Sequence, residues 1–356
     1  MIKNRVLNIQ NQLTKDQAML ITSNANRFYL TGFNSSDGYC LITKNDAFFL
    51  VDFRYIEKAK QTINSMKVLL LNSLKNNMQN LLISSNIKEL FLETSYVNLT
   101  DYSFYKNTFK DIKILKDSKI EELINNMRQV KTKEELSFIK KAQEYTDKTF
   151  EYILNKIKVG KTEREIMLDM EFFMRNLGSE GISFDFIVVA GKNSSLPHGV
   201  PTDNKIKSGD FLTMDFGAVF NGYRSDMTRT VAVGEITKEQ EEVYNTVLLA
   251  QESAIKAIKA GVVCKDIDKV ARDIIYNKGY EGCFGHGLGH SVGIDIHEMP
   301  AFNTRCETVL KEGTVMTVEP GIYLENKFGV RIEDMVYVTK DGIINLTKSP
   351  KNLIIL

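Results

Sequence analysis

Two distant stretches of this chain follow one template. "GDFLTMDFG" (209–217) aligns with "GTVMTVEPG" (313–321), so Thr213 falls on Thr317, Asp215 on Glu319 and Gly217 on Gly321. Farther on, "GYRSD" (222–226) aligns with "GVRIE" (329–333), placing Arg224 on Arg331 and Asp226 on Glu333. Upstream of each pair, "KVGKTEREIMLDMEFFMRNLG" and "KAGVVCKDIDKVARDIIYNKG" set an amphipathic run between glycines 18 residues apart, Gly160 and Gly178, then Gly261 and Gly279. A duplicated sequence buries the same face twice. The expected fold is therefore α+β with an internal pseudo-two-fold, each half being helices followed by an antiparallel strand pair that carries two carboxylates.

Those carboxylates are the chemical core of the pattern. Asp215 ends the apolar run "FLTM", and Glu319 follows "TVMTV". Both strands read as mostly buried, where an ionised carboxylate is costly unless it is paired or bound to a metal. The repeat brings Asp226 and Glu333 to the same inner surface. Four converging carboxylates repel, and some would stay protonated at neutral pH. Two divalent cations offset the four charges, and a neutral imidazole can complete the set. Mixed oxygen and nitrogen donors suit Mn, Co, Zn or Fe better than Ca or Mg.

The imidazole supply is unusual. The chain has four histidines, and three of them, His286, His290 and His297, lie in "GHGLGHSVGIDIHE"; the fourth, His198, lies in "LPHGVP". Any one acidic residue near a strand end is more often a turn residue or an ion-pair partner, and a lone His198 would be a loop residue. The doubled acidic pairs, with every histidine in a glycine- or proline-marked segment, favour a site. "IDIHE" alternates as a strand that presents His297. "GHGLGHSVG" lacks the G-K-S/T of a phosphate loop and the G-x-G-x-x-G spacing.

Residues 1–120 read as a separate α/β domain. "QAMLIT", "RFYLTGF", "GYCLIT" and "AFFLVDF" are expected strands, with "KNDA" turning between the last two, and "SYVNLTDYSFYKNTF" is an expected helix. This region shows no phosphate loop, metal cluster or nucleophile motif. A long helical stretch from "DSKIEEL" onward begins the second domain, 121–356, with S/T-x-x-E capping boxes expected at Ser118 with Glu121 and at Thr132 with Glu135. The net charge of +1 gives no reason to expect nucleic acid or an anionic membrane as partner. No run approaches the roughly 18 apolar residues of a membrane span, and the N-terminus lacks a signal-peptide core. Cys40, Cys264, Cys283 and Cys306 are scattered, as for reduced thiols in a cytoplasmic protein.

Taken in order, "PHG", "DFGAVFNGYRSDMTRT", "GHGLGHSVGIDIHEMP", "EPGIY" and "GVRIED" resemble the dinuclear metallopeptidases of the pita-bread fold, which include methionine aminopeptidase, Xaa-Pro aminopeptidase and Xaa-Pro dipeptidase (prolidase). "RFYLTGF" and its surroundings resemble the creatinase-type N-terminal domain of the proline-specific members. The resemblance implies a peptidase that hydrolyses the Xaa-Pro bond at the N-terminus of peptides by metal-activated hydroxide attack. It implies Asp215, Asp226, His290, Glu319 and Glu333 as ligands of two divalent ions, manganese first, with Asp226 and Glu333 bridging. It implies His198, His286 and His297 as substrate-facing, His297 donating to the scissile carbonyl. Glu319 would be the proton shuttle, with Tyr323 and Arg331 at supporting positions and Tyr323 also counted with the substrate-binding residues. In that setting the glycines let the backbone approach the metal, and a homodimer is implied. A catalytically silent binding module of the same fold is the competing class, against which all five ligand positions being present argues. Between the peptidases, "HEMP" is followed by Ala301, where prolidases commonly carry an arginine for a free carboxylate. That favours an Xaa-Pro aminopeptidase, with the dipeptidase as the alternative.

Overall fold

A computed structural model describes residues 2–356. It divides into two compact units, Met1–Arg128 and Gln129–Leu356.

The first unit is built on a six-stranded mixed sheet. Its elements in order are α1 (Ile2–Gln12), β1 (Gln17–Ile21), α2 (Asn24–Thr31), β2 (Tyr39–Thr43), β3 (Ala47–Val51), α3 (Ile56–Thr62), β4 (Lys67–Leu70), α4 (Leu74–Ser84), β5 (Glu89–Leu92), α5 (Leu99–Thr108), β6 (Lys113–Leu115) and α6 (Lys119–Gln129). The sheet order is β4-β3-β2-β1-β5-β6, with β1, β2 and β3 antiparallel and the outer strands joined in parallel. Three of the four expected strands are present, and the turn falls between Thr43 and Ala47. "RFYLTGF" is not a strand but most of α2. Ser23 caps that helix by accepting from the Asn26 N–H, and Gly32, at φ 68°, stops it in the left-handed region. The local start and stop signals override the β-like composition between them. The expected box at Ser118 also fails to form: Glu121 instead accepts from Thr94 Oγ1 at 2.8 Å and from the Ser95 N–H. The division expected near 120 lies at the start of α6, whereas the two units divide at its end, between Arg128 and Gln129.

The second unit contains the two repeat halves. The first half is α7 (Lys133–Leu154), α8 (Glu163–Asn176), β7 (Ile187–Ala190), β8 (Asp210–Phe216), the short pair β9 (Val219–Phe220) and β10 (Tyr223–Arg224), and β11 (Met227–Val233). The second half is α9 (Lys238–Ala257), α10 (Cys264–Asn277), β12 (Gly289–Ser291), β13 (Glu298–Phe302), β14 (Val315–Val318), the pair β15 (Gly321–Leu324) and β16 (Phe328–Arg331), β17 (Asp334–Val338) and β18 (Ile343–Asn345). The antiparallel sheets run β11-β8-β7 and β13-β12-β14-β17-β18. Equivalent helices bury equivalent stripes: Ile166, Met170 and Met174 of α8 in one core, Ile267, Ala271 and Ile275 of α10 in the other. The repeat thus becomes a layer of helix pairs over two strand ladders, the pita-bread arrangement.

Thr132 forms its capping box with Glu135, and so does Thr162 with Glu165. Replacing Thr132 with Ala should cost about 1 kcal/mol, read as a lower urea midpoint of the second unit; an unchanged midpoint would show that this cap contributes nothing.

Candidate active site

Each ladder delivers its carboxylates at equivalent places. Asp215 lies near the end of β8, opposite Thr228 of β11, and Asp226 immediately precedes β11. Glu319 follows β14, and Glu333 immediately precedes β17. The halves meet through β11: the Glu333 N–H donates to the Thr228 carbonyl at 3.1 Å, and Thr228 Oγ1 donates to Glu333 Oε2 at 2.7 Å. Oxygen atoms of Asp215, Asp226 and Glu333 consequently lie within 4.8 Å of one another. His290, on β12, brings Nε2 to 3.6 Å from Asp226 Oδ2 and 3.4 Å from Glu319 Oε1. The structure therefore gathers all five expected ligand positions, from four strand ends and one strand, into one cluster.

The electrostatics of the cluster are unsatisfied as the protein atoms stand. Burial first, then the neighbouring carboxylates, hold Asp226 and Glu333 well above the usual carboxylate range. Burial, with the charge of Asp215, pushes Glu319 up to about 8. Burial, and next the His297 ring, lower His290 to about 4, so its imidazole is neutral. Its Nδ1 lies 3.1 Å from the Ser291 carbonyl and therefore carries the proton. The lone pair of Nε2 then faces the carboxyls of Asp226 and Glu319, an arrangement that is repulsive once they are ionised. Asp215 Oδ1 and Glu333 Oε1 are buried without a hydrogen-bond partner. Orphaned oxygens around an imidazole lone pair fit divalent cations.

A second chain of groups leads away from the cluster. Arg331 on β16 donates to Asp215 Oδ2 at 2.5 Å, to Thr228 Oγ1 at 3.1 Å and to the Tyr323 hydroxyl at 2.8 Å. His286 is lowered to about 4 by burial and then by Arg331. Its Nδ1 donates to the Gly287 carbonyl at 2.8 Å, and its Nε2 accepts from the Tyr323 hydroxyl at 2.9 Å. Every donor in this chain points one way, from Arg331 through Tyr323 to His286. Both nitrogens of His286 are thus occupied, and it presents only its ring to the cavity.

A cavity of about 1110 Å³ opens over the cluster, lined by His198, His286, His290, His297, Asp215, Asp226, Glu319 and Arg331 among others. Among the described residues its lining does not include Tyr323, which is placed as a support for His286 and Arg331 rather than facing substrate. His198 is exposed at the cavity wall. His297 is not on a strand: it closes the bend before β13, its ring 4.4 Å from that of His290, and burial, then His198, lower its pKa. The glycines around the histidines also have another cause than the one expected. A Cβ on Gly289 would collide with the Thr317 carbonyl of β14, and one on Gly287 would sit 2.7 Å from the Phe302 carbonyl. Gly287 and Gly289 permit close strand packing.

Arg305 was not singled out in the sequence. It lines the cavity four residues beyond Ala301. The other lining arginines are engaged: Arg164 with Asp203, Arg272 with Asp268, Arg331 with Asp215. Among the described residues, the guanidinium of Arg305 has no partner. Only its position, within a short loop of "HEMP", could have suggested it.

Paired ladders closing on a buried set of carboxylates and an imidazole define a metallohydrolase. The chain belongs to metallopeptidase family M24: residues 137–340 match that family, and residues 5–130 match the creatinase/prolidase N-terminal domain. A solved structure from Bacillus anthracis described as an Xaa-Pro dipeptidase is 38% identical, with a TM-score of 0.93 over 100% of this chain and 99% of that one. An X-Pro aminopeptidase structure from Thermotoga maritima MSB8 is 37% identical, with a TM-score of 0.90 over 98% and 99%. The Xaa-Pro dipeptidase of Pyrococcus horikoshii is 38% identical over 338 residues, 95% of this chain and 94% of its own length.

Raised carboxyls make a prediction for the metal-free protein. Glu319 moves from an ordinary 4.5 to about 8 on folding, so the folded state holds a proton that the unfolded state releases. That stability is full below pH 4.5 and is lost as pH rises through 8. The thermal midpoint of chelated protein should fall across this range, and Glu319→Gln should flatten the fall. Calorimetric titration with Mn²⁺ at pH 7 should release protons. Binding without proton release would show the carboxyls already ionised.

Proposed function

We infer that the chain is a dinuclear metallopeptidase acting on the Xaa-Pro bond, and that it is of the Xaa-Pro dipeptidase type. The observation that carries the first part is the cluster itself: three convergent carboxylates, a fourth at His290, and an imidazole lone pair turned into them. Asp215, Asp226, His290, Glu319 and Glu333 would hold two divalent ions, manganese first. Bound there, the ions supply an acidified water as nucleophile near neutral pH.

The remaining chemistry belongs to the chain's own groups. His297, neutral and beside the cluster, donates to the oxygen of the scissile carbonyl as charge develops there. Glu319, with Oε1 held by Thr317 Oγ1 at 3.0 Å, carries the proton toward the leaving imino nitrogen. His198 steadies the leaving side, and His286, fixed by Tyr323, shapes the pocket. Arg331 offsets the charge of Asp215 and keeps that carboxylate in place.

Arg305 supports the dipeptidase over the aminopeptidase favoured by Ala301. A free guanidinium in the cavity is suited to the terminal carboxylate of an Xaa-Pro dipeptide. The dipeptidases among the relatives support the same choice. The aminopeptidase remains the second reading because the cavity, about 1110 Å³, exceeds the roughly 300–1,000 Å³ of small-molecule sites and leaves room for a longer peptide. The four free cysteines fit a reducing compartment, and we assign the protein to the cytoplasm.

The deciding experiment compares kcat/KM for an Xaa-Pro dipeptide and for the same peptide extended by two residues. The dipeptide should be preferred. Arg305→Met should lower its kcat/KM about 10–100-fold, the worth of a charged hydrogen bond, while leaving the extended peptide nearly unchanged. A wild-type preference of about tenfold or more for the extended peptide, about 1.4 kcal/mol, would make the chain an aminopeptidase. Separately, His297→Ala should lower kcat about 10²–10³-fold with metal content retained; loss of metal instead would reassign His297 as a ligand.

A further inference from the structure

Lys131 stands between α6 and α7, yet its side chain is only 1% exposed. Burial of an ammonium is costly unless it is paired and hydrogen-bonded. Here it is both paired and hydrogen-bonded: Nζ lies 3.1 Å from Glu298 Oε2, on a side chain 6% exposed, and donates to Ser291 Oγ at 3.0 Å. The backbone behind it is fixed as well. The Lys131 N–H donates to the Gly313 carbonyl at 2.9 Å, and the next residue, Thr132, caps α7.

The two groups that Lys131 joins are the two ends of one loop. The β12–β13 register breaks after His290, so that Ser291 pairs with Glu298 and residues 292–297 bulge out between them. His297 is the last residue of that bulge, and His290 lies just before it. Glu298 reaches back under the bulge: its Oε1 accepts the N–H groups of Ile294 at 3.0 Å and Asp295 at 3.2 Å. The carboxylate passes so close to Gly293 that a Cβ there would meet Oε2 at 2.5 Å. The loop is thus folded around the Glu298 carboxylate, and Lys131 is the cation that balances the carboxylate and ties it to the loop's other end.

We propose that Lys131 is a positioning residue for the hydrolytic reaction: through Glu298 and Ser291 it fixes the 292–297 loop, and so sets where the His297 imidazole stands in the cavity. The proposal rests on the assignment of His297 to the reacting carbonyl. Lys131 does not line the cavity. Its contribution is geometric, and misplacing a reacting group by about 1 Å costs about 10²-fold.

The test is a double-mutant cycle on the manganese-loaded full-length protein, with an Xaa-Pro dipeptide as substrate and Lys131→Met, His297→Ala and their combination as variants. Lys131→Met should lower kcat about 10–100-fold, with KM and manganese per chain unchanged. In the His297→Ala background the same change should add nothing, leaving kcat within about twofold of His297→Ala alone. A merely structural role would give effects that multiply, and that outcome overturns the proposal. So does a Lys131→Met variant with wild-type kcat. If Lys131→Met does not fold, the variant Lys131→Met/Glu298→Gln, which leaves no buried unpaired ion, takes its place in the same cycle with the same criteria. Wild-type kcat in His297→Ala alone would identify the fault as the His297 assignment, and the proposal would fall with it.

Discussion

Three buried carboxylates converging on one point, with the half-buried Glu319 reaching them through His290, are the constraint that the catalytic unit is arranged to meet. Moving even one ion from water into a protein interior costs several kcal/mol, and each added like charge raises the cost. Among the described residues one permanent cation stands at the cluster, Arg331, and its ion pair is with Asp215. The carboxyls respond by holding protons when left to themselves, as the raised positions of Asp226, Glu319 and Glu333 show. A fold would not keep so expensive a centre for stability, because well-packed apolar residues in its place would be at least as stable. The cluster is therefore kept for what it binds.

The same constraint explains why the architecture is doubled. A single antiparallel ladder can bring two carboxylates to one face, since side chains on a strand alternate with period two. Four need a second ladder placed against the first, and a repeat supplies one whose face already carries the right groups. The join is small and specific: the Thr228 carbonyl and hydroxyl hold the N–H and carboxylate of Glu333, and Thr230 Oγ1 donates to the Arg331 carbonyl. Threonines on β11 thus dock one half's acidic end onto the other's.

What could be read in the sequence follows from this division. The repeat is local text compared with local text, so the helix pairs, the strand ladders and the convergence of Asp215, Asp226, Glu319 and Glu333 were all open to reading. So was the Thr132 cap. The failures share a different cause. "RFYLTGF" has strand composition, but Ser23 and Gly32 set its ends and make it α2. "IDIHE" alternates like a strand, but a register break and the Glu298 carboxylate fold it into a bulge. Ser118 has a suitable partner in Glu121, which is drawn instead to Thr94 and Ser95. Arg305 has no motif at all. In each case a contact far along the chain, or a single backbone stop, overruled the local pattern, and no periodicity encodes such contacts.

The histidines show how one local device yields different chemistry. His286 and His290 are both fixed through Nδ1 on a backbone carbonyl, that of the following residue. Burial keeps both rings neutral, so each turns a bare Nε2 away from its own backbone. What faces that nitrogen decides the rest. Tyr323 faces His286 and, itself held by Arg331, donates to it, so the ring is locked and takes no further proton. Carboxyl groups face His290, and once ionised none can donate to it, so its lone pair is then open to a cation. Exchanging the two environments would exchange the two roles without altering either histidine's own segment. The fitness of His290 to bind a cation is therefore specified by the opposite strand ends, Asp226 and Glu319, and not by the glycine-rich stretch in which it lies.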